Sequence, residues 1–167
     1  KKNKPFFSIP KNIAGESHQT KIKTIVNFLK LIKADYLFIS APENVAWLLN
    51  IRGSDSPTSP IPNSRLIIGK NKKLLLITEE KNIQKINKEK KIKINQVFNF
   101  HKFREIINQL KGNNFIIDNQ SCSVFAEKII RSRFKILNQK DPIYKLKSIK
   151  NHSEIKHMIE AHKKDGL

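Results

Sequence analysis

Few residues in this chain could do chemistry, and their spacing argues against a reaction carried by the chain itself. The histidines are His18, His101, His152, His157 and His162. On a helix, the five-residue spacing of the last three turns each about 140° from the one before, so they cannot form the paired i,i+4 ligands of a zinc site. No HExxH occurs. Asp118 closes an apolar run with Asn119 behind it and no acidic partner at short spacing, which predicts a turn or cap role. Glu79 and Glu80 suit the first turn of a helix. Cys122 lies between two serines with no histidine near it in sequence, so it lacks an evident general base. As the single cysteine it can form no disulfide within the chain, in keeping with a reducing compartment. The glycines fit neither a Walker loop nor GxGxxG. Phe98, Phe100 and Phe103, interleaved with His101, Lys102 and Arg104, read as a core-facing stripe more simply than as a base-stacking platform. No catalytic and no metal-ligating residue is expected.

One stretch remains, SAPENVAWLLNIRGSD from Ser40 to Asp55. Ser40 and Glu43 have capping-box spacing, and Pro42 falls early enough in the first turn to cost no helical hydrogen bond. Val45 to Leu49 make a buried helix, and Ile51-Arg52-Gly53 is read as a flexible break that aims Arg52 and Asp55 out of its far end. Trp47, the sole tryptophan, fits a core anchor. Arg52 can offer a two-pronged fork to a carboxylate, either Asp55 or a partner's group such as a peptide C-terminus. Pro57, Pro60 and Pro62 exclude regular structure from the loop behind it. They would either stiffen a surface or simply end an element.

The elements that position this stretch follow from periodicity. Residues 1 to 16 lack it and read as a linker entering from an upstream domain. Ser17 or Thr20 can cap a helix to about Lys33, with Ile22, Ile25, Val26, Leu29 and Ile32 inward. Tyr36 to Ile39, Arg65 to Ile68 and Lys73 to Ile77 are predicted strands, the last two joined by a hairpin turn at Gly69 to Lys72. Thr78 would cap a short helix to about Lys88. Ile92, Ile94 and Val97 alternate as a half-exposed strand. Phe103 to Leu110 is a helix ended by Gly112, Phe115 to Ile117 a strand, Val124 to Ile130 a helix and Phe134 to Leu137 the last strand. After Asp141-Pro142, Ile143 to Ile149 is a short amphipathic piece. Asn151 and Glu154 then offer a second capping box before Ile155, Met158 and Ile159. The result is α/β: a mixed, twisted sheet of about five or six strands flanked by helices.

A chain of 167 residues is about one domain and can bury roughly two-thirds of its extended surface. Its 33 Lys and Arg against 14 Asp and Glu give a net charge of +19. A stand-alone basic module that binds nucleic acid is the alternative this raises. The excess is mostly lysine and spread over every segment, so a solvated surface is favoured and no specific nucleic acid is expected. No apolar run approaches the ~18 residues of a membrane span, and residues 1 to 10 do not resemble a signal peptide.

Three stretches carry a resemblance: AGES at Ala14 to Ser17, AWLLNIRGSD at Ala46 to Asp55, and DPIYKLKSIKNHSEIKHMIEAHKKDG at Asp141 to Gly166. Together, and in order along nearly the whole chain, they resemble the creatinase/prolidase N-terminal type domain of long-form Xaa-Pro aminopeptidases, the aminopeptidase P branch of the pita-bread metallopeptidases. The resemblance implies a ribonuclease H-like α/β fold over 17–140, a linker from an upstream domain at 1–16, and a junction at 141–167 leading into a catalytic domain. It implies a non-catalytic role, shaping a substrate cleft and contacts between domains or subunits, with Trp47, Arg52, Asp55 and Thr58 at the cleft or interdomain positions. Thr58 and Ser59 stand where the family commonly has an aromatic residue or histidine. The cofactors implied are two divalent metal ions, manganese by family habit, in the catalytic domain and none here. The partners implied are the chain's own catalytic and upstream domains, a second subunit and proline-containing peptides, in the cytoplasm and away from membranes. A structural domain of a related prolidase or creatinase is the third reading the same fold would serve.

Overall fold

A computed structural model describes residues 5–54, 58–89 and 92–166. In chain order the elements are β1 (Phe7–Ser8), α1 (Lys11–Ala14), α2 (His18–Leu31), β2 (Tyr36–Ile39), α3 (Pro42–Leu49), β3 (Ile51–Arg52), β4 (Arg65–Gly69) and β5 (Leu74–Ile77). They continue with α4 (Gln84–Lys88), β6 (Val97–Phe98), α5 (Phe103–Gln109), β7 (Asn114–Ile117), α6 (Val124–Arg131), β8 (Lys135–Asn138), α7 (Pro142–Ser148) and α8 (His152–Asp165).

Six strands form one mixed sheet in the order β6-β5-β4-β2-β7-β8. The predicted hairpin makes β4 antiparallel to β5, with Leu66 opposite Leu76, and β4 also runs antiparallel to β2, with Leu37 opposite Ile68. The pairs β2–β7, β7–β8 and β5–β6 are parallel. The hairpin closes through Lys72 N–H to the Gly69 carbonyl at 2.9 Å, with Lys72 itself at φ 67°.

Strand alternation splits the core between the two sheet faces. Leu37, Ile39, Leu66, Ile68 and Leu76 face α2, α3, α4 and α7 through Ile25, Leu29, Leu48, Ile86 and Ile143. Phe38, Ile67, Leu75, Phe115 and Ile117 face α5 and α6 through Phe103, Ile107, Ile129 and Ile130. Strands covered on both sides read as unbroken apolar runs, which is why β2, β4, β5 and β7 were so plain in the sequence.

Several expectations are corrected. Ser40 does not cap α3. The N-cap is Ala41, without a side-chain bond, because the Ser40 hydroxyl lies 2.7 Å from the Ser121 hydroxyl while Glu43 accepts from the Tyr144 hydroxyl at 3.1 Å. Thr78 donates to the Asn63 carbonyl at 3.1 Å instead of capping, and a 3-10 turn over Glu80–Ile83 precedes α4. The expected strand over residues 92–97 is a 3-10 turn (Ile94–Gln96) followed by the two-residue β6; Ile94 is exposed, and of Ile92, Ile94 and Val97 only Val97 enters the ladder, beside Phe98. The helix expected to end at Gly112 ends at Gln109. Of the residues read as an aperiodic lead-in, Phe6 is fully buried, and Phe7–Ser8 pairs antiparallel with Ile51–Arg52.

Candidate functional site

The exit of α3 is built differently from the flexible break expected at Gly53. Asn50 ends the helix in the left-handed conformation, φ 50° and ψ 49°, which asparagine tolerates better than most residues. Its N–H reaches the Ala46 and Trp47 carbonyls. The chain then enters β3, held by β1 through the pairs Phe7–Arg52 and Ser8–Ile51. Gly53 is pinned: its N–H donates to the Pro60 carbonyl at 3.0 Å, and a Cβ there would sit 2.6 Å from Pro62 Cα. Residues 60–62 therefore fold back onto Gly53.

Arg52 is half-buried in this short strand, with Nη1 donating to the Ile51 carbonyl at 2.9 Å. Burial lowers its pKa from the usual arginine value, although it stays protonated under any ordinary condition. Thr58 is exposed on the loop, and Asp55 lies outside the described residues.

Trp47 is committed inside the domain. Its indole N–H donates to Glu154 Oε1 at 3.3 Å. The Lys21 ammonium sits 3.8 Å from the ring centroid, donating also to the Trp47 carbonyl at 3.0 Å and to Asn50 Oδ1 at 2.8 Å. Lys21 is only 2 % exposed, so these contacts replace the hydration it has lost. Periodicity placed Lys21 beside the inward face of α2 but carried no sign of a buried cation. Trp47 and Arg52 thus flank the turn at Asn50, one directed to α8 and the other held in β3.

A second polar cluster also escaped the sequence. Asn44 Nδ2 donates to Asp141 Oδ2 at 2.7 Å, and Lys147 Nζ donates to Asn44 Oδ1 at 2.6 Å. The Asp141 backbone N–H donates to Asp118 Oδ2 at 2.9 Å, and Gln120 N–H donates to Asp118 Oδ1 at 2.9 Å. Asp118 therefore does hold a turn, and Asp141 caps α7 by accepting from Ile143 N–H at 2.9 Å. Burial raises the pKa of Asp141 above the usual carboxylate value, against the lowering effect of its hydrogen bonds from Ile143 and Asn44. With both acids occupied in this way, the cluster is a joint between α3 and α7. Among the described residues no group of three or more His, Cys, Asp or Glu side chains could hold a metal ion.

The sequence profile of the Creatinase/Prolidase N-terminal domain matches residues 1–154. The chain belongs to that family. Xaa-Pro aminopeptidase 1 of Dictyostelium discoideum is 29% identical to this creatinase/prolidase N-terminal domain over 171 residues, covering 99% of the chain and 26% of the relative. A probable Xaa-Pro aminopeptidase P of Laccaria bicolor is 25% identical over 169 residues, covering 96% of the chain and 25% of that protein. This domain thus spans about a quarter of the length of the curated relatives it matches. Among solved structures, the X-prolyl aminopeptidase of Caenorhabditis elegans, described as a cytosolic enzyme with a di-nuclear active site, superposes with a TM-score of 0.81 at 20% identity, over 96% of this chain and 27% of that one. The creatinase/prolidase N-terminal fold expected from the sequence is the fold observed.

Proposed function

We propose that this domain is the non-catalytic, cleft-shaping part of a proline-specific metalloaminopeptidase, an enzyme that releases an N-terminal residue when proline follows. The observation that carries the reading is the match to proteins named Xaa-Pro aminopeptidase, which covers nearly all of this chain and about a quarter of theirs. The residues described here do not make a metal site. The two divalent ions of the proposed enzyme, manganese by resemblance, are assigned to a catalytic domain elsewhere in the protein, and no chemical step is assigned to this chain.

What this domain supplies is a wall and a mount. Arg52 lines the cleft, together with Asp55 and Thr58 by resemblance, and offers its guanidinium to a peptide carboxylate; Trp47 backs that wall at the interdomain side. The mount is the 141–167 junction. Along α8, Ile155, Met158 and Ile159 are each about half exposed on one helical face, a surface suited to packing against a following domain. We assign 17–140 to the body of the domain and read 1–16 as entering from an upstream domain, with Phe6 packed into the core and β1 paired with β3. The enzyme works as a homodimer in the cytoplasm.

The test is Arg52→Ala and Arg52→Lys in the full-length protein, assayed with Xaa-Pro peptides. Losing a fork to a substrate carboxylate raises KM by about tenfold or more at unchanged metal content; the lysine variant recovers part of it. An unchanged KM in both variants would remove Arg52 from the cleft.

A further inference from the structure

Residues 14–16, the AGE of the AGES motif, lie between the end of α3 and the beginning of α8. The Ala14 carbonyl accepts from Asn151 Nδ2 at 2.9 Å, and the Glu16 carbonyl accepts from Asn50 Nδ2 at 2.7 Å. Gly15 joins them at φ 74°, and a Cβ there would come within 2.2 Å of Asn151 Oδ1. The turn can therefore be this close to α8 only with glycine at its centre.

Both asparagines work in two directions. Asn151 Oδ1 accepts from Glu154 N–H at 3.0 Å, while Glu154 Oε2 accepts from Asn151 N–H at 2.9 Å, which completes the capping box of α8. Asn50 Oδ1 accepts from buried Lys21. Each side chain accepts from its own neighbourhood and donates to the 14–16 turn at the same time. An amide does both, whereas a carboxylate keeps the acceptor and loses the donor. Glu154 closes the circuit on the other side, since its second oxygen takes the Trp47 indole N–H.

We infer that the Ala14–Glu16 turn is a bracket which, with Trp47, fixes the direction in which α8 leaves the domain relative to the Arg52 strand, and that Asn50, Asn151 and Trp47 are positioning residues. This rests on the proposed function only where it concerns activity: the bracket orients the cleft wall against whatever α8 leads into. The family resemblance places Trp47 at a cleft or interdomain position but gives no role to Asn50, Asn151 or the 14–16 turn.

Asn50→Asp and Asn151→Asp separate the two duties. Aspartate is tolerated in the left-handed region at position 50 and is a good N-cap at 151, so local folding is kept while the donors to 14–16 are lost. Spin labels at Lys73→Cys and His157→Cys, both exposed positions, are placed in the full-length protein with its other accessible cysteines replaced. They read the α8-to-sheet distance by pulsed electron resonance. The bracket predicts one narrow distance in the parent and a distribution broadened by about twofold or more, or shifted, in each Asn→Asp variant, with helical content unchanged. Trp47→Phe, which removes the indole donor and keeps an aromatic ring beside Lys21, broadens it as well and serves where an aspartate variant fails to fold.

Distributions as narrow as the parent's in every folded variant would overturn the bracket, whatever the enzyme does. In the same variants kcat/KM for an Xaa-Pro peptide falls by about tenfold at unchanged metal content. Broadening with full activity would overturn the link to catalysis. A parent that hydrolyses no Xaa-Pro peptide would refute the proposed function and leave the distance result standing.

Discussion

Asn44 and Asp141 meet at 2.7 Å in the interior, although 97 residues separate them in the chain. The bond lets α3 hold α7, because the other end of the Asn44 amide takes the Lys147 ammonium. Removing the amide leaves a buried acid and an ammonium each short of a partner. Asn44→Ala should therefore cost about 2 kcal/mol in chemical denaturation. Lys147→Met removes a cation near the surface and should cost roughly half as much.

Gly15→Ala addresses the turn rather than its partners. The residue must hold φ 74° and its new methyl must displace the Asn151 side chain. The expected loss is about 1 to 3 kcal/mol, read as a lower midpoint. Glycine-to-alanine changes usually gain a few tenths from the unfolded chain, so a neutral or positive result would mean that the turn is not held against α8.

Asp35 and Asp141 give opposite pH dependences. Burial alone would raise Asp35, but the Lys70 ammonium at 2.7 Å and the N–H groups of Asn114 and Asn113 outweigh it and hold the carboxyl below its usual value. A depressed acid contributes stability that is present above the unfolded value near ~3.9 and is lost as pH falls through the folded value. Asp141 is raised. Its contribution is complete below ~3.9 and declines as pH rises through its folded value. In acid titrations of stability, Asp35→Asn should flatten the loss below ~pH 4, and Asp141→Asn should reduce the decline above it.

Cys122 should be slow toward alkylating reagents. Burial and, next, the Glu127 charge push its thiol up to about 11, so at pH 7 the thiolate fraction is on the order of one in ten thousand. Iodoacetamide labelling of the native protein should be much slower than that of the unfolded chain. A fast native reaction would contradict a half-buried thiol held in its protonated form.

The sheet and most helices could be read from the sequence because their signals are local. Unbroken runs such as Leu66 to Ile68 and the 3.6-residue stripe of Ile22, Ile25, Val26 and Leu29 record burial directly. The Asn151–Glu154 capping box formed as spaced, but the equally good Ser40–Glu43 spacing did not. In the folded chain Ser121 and Tyr144, both remote in sequence, claim those two side chains. The same reason hid Lys21, Asn44, Asn50 and Asp141, whose partners lie 23 to 103 residues away in the chain. Trp47 and Arg52 were singled out from type and position. Their surroundings were not, because β1 and the 14–16 turn carry no periodicity to announce that they fold back onto α3.

The most direct test of the central claim compares this chain alone with the full-length protein. Both are freed of metal, titrated with manganese and assayed with an Xaa-Pro peptide. A non-catalytic domain of a two-metal aminopeptidase predicts about two bound ions and manganese-dependent release of the first residue for the full-length protein, with neither for the chain alone. Stoichiometric manganese or hydrolysis held by residues 1 to 167, or a full-length protein that binds metal without cleaving before proline, would contradict the account.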